Sequence, residues 1–253
     1  MTIPSGAAPR GPRLLTNRST HDLIIRLLDR DYPPPRSSLK LLDVPCGAGA
    51  LSVRLREMGF EVSCCDIDPG HMEATGFRFT QADLNSKPLP LESNAYDVVV
   101  SVAGLQRVIF PDVAIGECGR ILRPGGRLYL SVPNFGSMRL RFRYLLYGSL
   151  GFRFDNPHFE QTVGLPAAHF RFPLGYPRVE SLVRAGGLRL LRVEAYAEDR
   201  VRWLLLPLAL GSLVAARFKA ALNPQKYGSY RTASRFDMLG SRAYVVVAEK
   251  PLT

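Results

Sequence analysis

Histidine and cysteine are scarce in this 253-residue chain, with four of each, and tryptophan occurs once. Cys46, Cys64, Cys65 and Cys118 show no metal-ligand spacing, so a zinc or iron–sulfur site is not expected. Two of them sit side by side in an apolar stretch, which suits a reduced, cytoplasmic protein without structural disulfides. The first residues, "MTIPSGAAPRGPR", lack an apolar segment of signal-peptide type. They also lack periodicity, so residues 1–18 are expected to be disordered. The longest uncharged run near the C-terminus, "WLLLPLALGSLVAA", has 14 residues, fewer than the ~20 needed to span a bilayer.

What the chain has in abundance is positive charge, +11 overall, placed unevenly. From Lys40 to Asn134, 9 basic residues face 11 acidic ones. The excess lies outside that unit, with +4 from Phe135 to Arg178 and +4 from Glu198 to Ser241. A solvated surface, an anionic substrate, a membrane surface and nucleic acid all accommodate such a balance. No Asn-Pro-Pro-Tyr-type base-methylation motif accompanies it, which counts against nucleic acid.

Strand and helix patterns alternate through the first half. "KLLDV", "EVSCCD", "FRFTQAD", "YDVVVSV" and "RLYLSVPN" read as strands. "ALSVRLREM" and "PDVAIGECGRIL" read as helices, and "RPGG" as a turn. "LRLLRVEAYA" and "RAYVVVAEK" add two late strands. The expectation is an α/β fold, Rossmann-like, with a mostly parallel seven-stranded sheet and an antiparallel last strand. Residues 19–253 form a single domain on this reading, with cap insertions at about 135–177 and 198–241.

The turn after the first strand, "DVPCGAG", holds Gly47 and Gly49 where ligands bind in open α/β sheets. Ser52 replaces the third glycine of a dinucleotide site. Asp43, at the mouth of the turn, would repel a pyrophosphate, whose oxygens need backbone N–H groups. It suits a ligand that carries a cation, such as S-adenosyl-L-methionine. Asp66 ends the second strand, where a ribose-binding carboxylate belongs. Asp83 follows the third and can accept from an adenine amino group. Pro45 stiffens the turn and removes an N–H, a loss that a ligand without phosphate tolerates.

"LLDVPCGAG", "CCDID", "ADL", "YDVVVS" and "ECGRILRPGGRLYLSVPN" occur in that order over Leu41 to Asn134. Together they resemble the motifs of the class I SAM-dependent methyltransferases. "GLQRV" and "PNFGSMRLRFRYLLYG" resemble the methyltransferase type 11, MetW-like branch, although the Glu198–Ser241 insertion and "VPCGAG" depart from it. The resemblance implies S-adenosyl-L-methionine as cofactor. It places Asp43, Gly47 and Gly49 at the methionine part, Asp66 at the ribose, and Asp83 with Leu84 at the adenine. Ser101 falls near the donor–acceptor boundary. The expected activity is methyl transfer, at oxygen, to a small or lipid-linked acceptor. The alternative is a regulatory, non-catalytic MetW-like partner protein in methionine biosynthesis.

For the acceptor side, His169 in "AHFRF" is a candidate general base. Arg139 and Arg143 share a helix face, and with Tyr147 they are candidates for binding the acceptor. Trp203 to Ala216, flanked by arginines and lysine, suits either an interfacial helix with a peripheral contact at the inner membrane face or a buried helix covering the sheet.

Overall fold

The computed structural model describes residues 11–148, 173–196 and 206–252. Its seven strands are β1 (Lys40–Asp43), β2 (Glu61–Asp66), β3 (Arg78–Gln81), β4 (Tyr96–Val102), β5 (Leu122–Pro133), β6 (Arg189–Tyr196) and β7 (Ala243–Glu249). They form one sheet in the order β3-β2-β1-β4-β5-β7-β6. The first five pair in parallel, and β7 runs antiparallel between β5 and β6. The sheet is the Rossmann-like one read from the sequence.

β4 shows why the sheet must be covered on both faces. Val98, Val100 and Val102 point into one apolar cluster, and Val99 into the other. The first cluster takes Leu23, Ile24, Leu27 and Leu28 from α1 (Arg18–Asp31), and Leu51 and Leu55 from α2 (Ala50–Glu57). The second takes Ile115, Cys118 and Ile121 from α3 (Pro111–Ile121), and Val179, Leu182 and Val183 from α5 (Tyr176–Ala185). Their spacing of three and four residues is the core face of an amphipathic helix. Gly119 lets α3 and α5 approach, because a Cβ there would lie 2.5 Å from the Gly186 carbonyl oxygen.

The "RPGG" turn is absorbed into β5. Tyr96 pairs with Leu122 and Val98 with Arg127, so residues 123–126 bulge out of the ladder. Gly125 takes a φ of +78° there, and a Cβ on Gly126 would sit 2.9 Å from the Arg123 carbonyl oxygen. The turn exists, but pairing resumes on both sides of it.

After β5 the chain enters α4 (Met138–Tyr147). After β6 the described chain resumes with α6 (Leu206–Leu222), α7 (Pro224–Ala233) and α8 (Phe236–Gly240). Asn134 joins the two groups: its Nδ2 donates to the Met238 carbonyl and to Ser241 Oγ, while its Oδ1 accepts from Gly136 N–H. Arg141 on α4 donates to the Gly136 carbonyl at 2.7 Å and to the Ala233 carbonyl at 3.1 Å. Met138, Ala209 and Leu239 form a small apolar cluster of their own. Among the described residues no helix is long and apolar enough to cross a membrane.

Candidate functional site

β1 delivers Asp43 to the carboxyl edge of the sheet, and the chain reverses there through Val44–Ala50. The Val44–Pro45 peptide is cis. Gly47 and Gly49 adopt φ of +53° and +82°, the left-handed region that glycine enters without a side-chain penalty. Cys46 N–H donates to the Cys65 carbonyl and Gly49 N–H to the Cys46 carbonyl, which closes the turn before α2.

The three acids fall along this edge, and each is held differently. Asp43 is 1% exposed and accepts from Ser52 Oγ at 2.6 Å. Burial pushes its carboxyl up to about 7, and the nearby Asp66 adds to the rise while Ser52 opposes it. Ser52 therefore supports the buried acid from the first turn of α2. Asp66 accepts from Gly47 N–H at 2.7 Å and from Ile67 N–H at 2.8 Å, so β2 pins the glycine turn of β1. A carboxylate has about four acceptor directions, which leaves capacity for a ligand. Asp83 accepts from the backbone and side chain of Asn85, and Asn85 Oδ1 in turn accepts from Ile109 N–H at 2.7 Å.

These groups surround a cavity of about 230 Å³. Asp43, Gly47, Asp66, Asp83 and Leu84 line it, as do Pro45 and Cys46. Gly49 and Ser101 are not in its wall. The space beside Gly49 is taken by Ala74 and Met72, whose side-chain atoms would lie 2.7 and 2.9 Å from an added Cβ. Ser101 is buried inside β4. Arg139, Arg143 and Tyr147 lie on α4 and do not line the cavity, and His169 lies outside the described residues.

Several wall residues escape a reading of the sequence. The loop after β4 contributes Ala103, Gly104, Arg107, Val108 and Ile109. Ala103 is left-handed, with φ +52°, and is secured on both sides. Its N–H donates to the Ser131 carbonyl, and its carbonyl accepts from Gln106 Nε2 at 2.7 Å. Gly104 abuts Pro45, since a Cβ on it would meet the proline ring at 2.3 Å. Residues 11–17, grouped by composition with a disordered N-terminus, run against the cavity instead. Arg13 donates from its backbone and guanidinium to Glu73, and Leu15 reaches within 2.9 Å of a Cβ built on Gly47. Thr16 Oγ1 bonds His21 Nε2 at 2.7 Å. His21 is buried on α1, its Nδ1 has no partner, and burial with the nearby Arg54 holds its pKa down at about 4. The imidazole is therefore neutral at physiological pH. Among the described residues no group of His, Cys, Asp or Glu is arranged to hold a metal ion.

The donor set fits S-adenosyl-L-methionine. A buried acid awaits a cation, a second acid ends β2, a third follows β3, and the turn carries no side chain at Gly47.

Residues 42–130 match the family model of the Methyltransferase domain. A ubiquinone biosynthesis O-methyltransferase of Cereibacter sphaeroides is 30% identical over 115 residues, covering 42% of this chain and 47% of that protein. The chain thus spans about half the length of the curated relatives it matches. A SAM-dependent methyltransferase from Archaeoglobus fulgidus superposes with a TM-score of 0.57 at 15% identity, covering 91% of this chain and 94% of that one. The [4+2]-cyclase SpnF superposes with a TM-score of 0.56 at 18% identity, covering 97% and 89%.

Proposed function

We propose that the protein, whose residues 42–130 belong to the class I SAM-dependent methyltransferases, is an enzyme that binds S-adenosyl-L-methionine in the cavity at the carboxyl edge of its sheet and methylates a small-molecule acceptor at oxygen. The observation that carries the reading is the buried Asp43 facing the cavity, beside Asp66 and Asp83 on the same edge. A carboxyl without a cationic partner at that depth is costly to ionise. A ligand ammonium or sulfonium would let it ionise, whereas a nucleotide phosphate would make it worse. The oxygen acceptor is supported by the name of the relatives matched in the central unit.

When bound, S-adenosyl-L-methionine supplies a methyl group on a sulfonium sulfur, whose displacement by the acceptor leaves S-adenosylhomocysteine and a proton to be lost. The protein's own task is mostly alignment and exclusion of water. Asp43 holds the cationic part, Asp66 the ribose hydroxyls, and Asp83 with Leu84 the adenine. Ala103 and Gly104 form the wall after β4, held in shape by Gln106 and Pro45. His21 borders the cavity as a neutral imidazole, with Nε2 bonded to Thr16 and Nδ1 buried.

Isothermal calorimetry tests the cofactor, with S-adenosylhomocysteine and NAD as competing ligands. Binding of the first and indifference to the second is expected, and a preference for NAD would overturn the assignment. Transfer of labelled methyl from S-adenosyl-L-methionine to extracted small molecules tests the chemistry. Label recovered as an acid-stable methyl ether supports an oxygen acceptor. Label on nitrogen or carbon, or none, counts against it.

A further inference from the structure

α6 packs the wrong way round for a helix that covers a core. Among its described side chains the buried ones are alanines: Ala209 at 1% exposed, Ala216 at 7% and Ala220 at 3%. The residues it turns outward are large. Leu210, Val214, Phe218 and Leu222 recur every fourth position, and they are 51%, 63%, 65% and 69% exposed. A helix folded onto a globular core places its large apolar groups inward, because they return the most burial energy.

α4 repeats the pattern. Its first turns bury Met138 and Leu140, but every residue from Phe142 to Tyr147 is exposed. Leu145 is 72% exposed and Tyr147 is 74%. Both helices are rooted in the cluster of Met138, Ala209 and Leu239, and Arg141 ties α4 to the end of α7. α4 also follows the carboxyl end of β5, the sheet edge on which the cavity opens. Large apolar side chains left exposed on two helices with a shared root mark an interaction site.

Charge selects the occupant. From Leu206 to Ser234 there are four cations, Arg217, Lys219, Lys226 and Arg231, and no acid. α4 exposes Arg139 and Arg143 and carries no acid, while Arg141 turns inward to the Gly136 and Ala233 carbonyls. Two copies of such a surface repel one another across a two-fold axis, which disfavours self-association. Anionic headgroups attract it, and the acyl region beneath accepts Leu, Val and Phe. Tyrosines suit the boundary between the two. At 17 residues α6 is about 26 Å long, and it carries Arg217 and Lys219 on its course, so it lies in the interface instead of crossing.

We propose that the outward faces of α4 and α6 together form a docking surface for an anionic lipid bilayer, with the cofactor cavity opening on the edge where that surface lies. For presenting an amphipathic acceptor the surface rests on the methyl-transfer reading, whereas docking itself does not.

The test is co-sedimentation of the full chain with vesicles of phosphatidylglycerol and phosphatidylcholine, and with phosphatidylcholine alone. Binding to the anionic vesicles is expected, weaker on the neutral ones by about fivefold for each cation that reaches the headgroups, and weaker as salt rises. Val214→Glu with Phe218→Glu is expected to reduce partitioning by roughly a hundredfold, about tenfold for each side chain withdrawn from the acyl region, with an unchanged melting temperature. Leu145→Glu on α4 is expected to weaken binding separately. Equal binding to neutral and anionic vesicles, or none, overturns the proposal. So does a double variant that collapses, because the stripe is then packed against protein. A dimer broken by the same substitutions overturns it in favour of self-association. Calorimetry with S-adenosylhomocysteine on the same preparations reads the cavity independently. Its loss with vesicle binding intact sinks the methyl-transfer reading alone.

Discussion

Replacing Asp43 by asparagine isolates the effect of one buried proton. Burial moves the Asp43 carboxyl from an ordinary 3.8 to about 7 in the unliganded fold. The folded chain therefore keeps a proton that the unfolded chain releases near pH 4. Stability that is present below about pH 4 is lost as pH rises through about 7. The interval corresponds to about 4 kcal/mol at most. The asparagine amide would keep a bond to Ser52 Oγ, now 2.6 Å from the carboxylate oxygen, and would carry no charge. Relative to wild type, Asp43→Asn should gain little near pH 4 and progressively more up to about pH 7, reaching a plateau of a few kcal/mol. Urea unfolding across that range, read as the difference between the two proteins, measures it. The same substitution should harm binding. In wild type, affinity for S-adenosyl-L-methionine should rise toward about pH 7, by up to about tenfold per pH unit, as the ligand's cation draws the proton off. In the variant that slope should vanish. A difference in stability that does not grow with pH, or an unchanged binding slope in Asp43→Asn, would refute the assignment of Asp43 as the cation's partner.

Asp66→Ala should weaken binding of S-adenosylhomocysteine by about 1.5–3 kcal/mol, read by calorimetry. It should also loosen the glycine turn, because Gly47 and Ile67 lose their acceptor. Gly104→Ala should perturb the cavity, since the new Cβ would collide with the Pro45 ring. Adding Pro45→Ala should restore cofactor affinity, whereas additive losses in the double variant would show that the two loops are not coupled. Gly49→Val should lower the melting temperature before it affects binding, because a side chain there meets Met72 and Ala74 and a left-handed backbone.

Much of this arrangement is legible in the sequence because it is local. Each strand of the parallel sheet is followed at once by its turn, and β1 with Asp43 and Gly47 is readable as one unit. So is β2 with Asp66. Ser52 is readable only as a missing glycine, since its bond to Asp43 spans nine residues and depends on where α2 starts. Gly49 looks like a ligand contact, and its neighbours are instead two residues more than twenty positions away. The segment 11–17, Gly-Pro-Arg-Leu-Leu-Thr-Asn, is short and without periodicity, and what places it is an ion pair to Glu73, sixty residues on. The stretch of α6 from Leu206 to Ala216 is uncharged on every side, so sequence alone does not say which face turns inward. Packing decides it, and it selects the alanines.

The course of residues 11–17 has a practical side. The front of the described chain passes over the cavity, held by Arg13 to Glu73. The tail leaves β7 at Glu249, opposite Arg127 near the start of β5, on the far edge of the sheet. A fusion partner or purification tag attached ahead of residue 11 therefore hangs from the same stretch that borders the ligand, and it competes with ligand entry. One attached after residue 252 is carried on the opposite edge. Binding constants measured on the two kinds of fusion should differ, and the C-terminal one reports the native site.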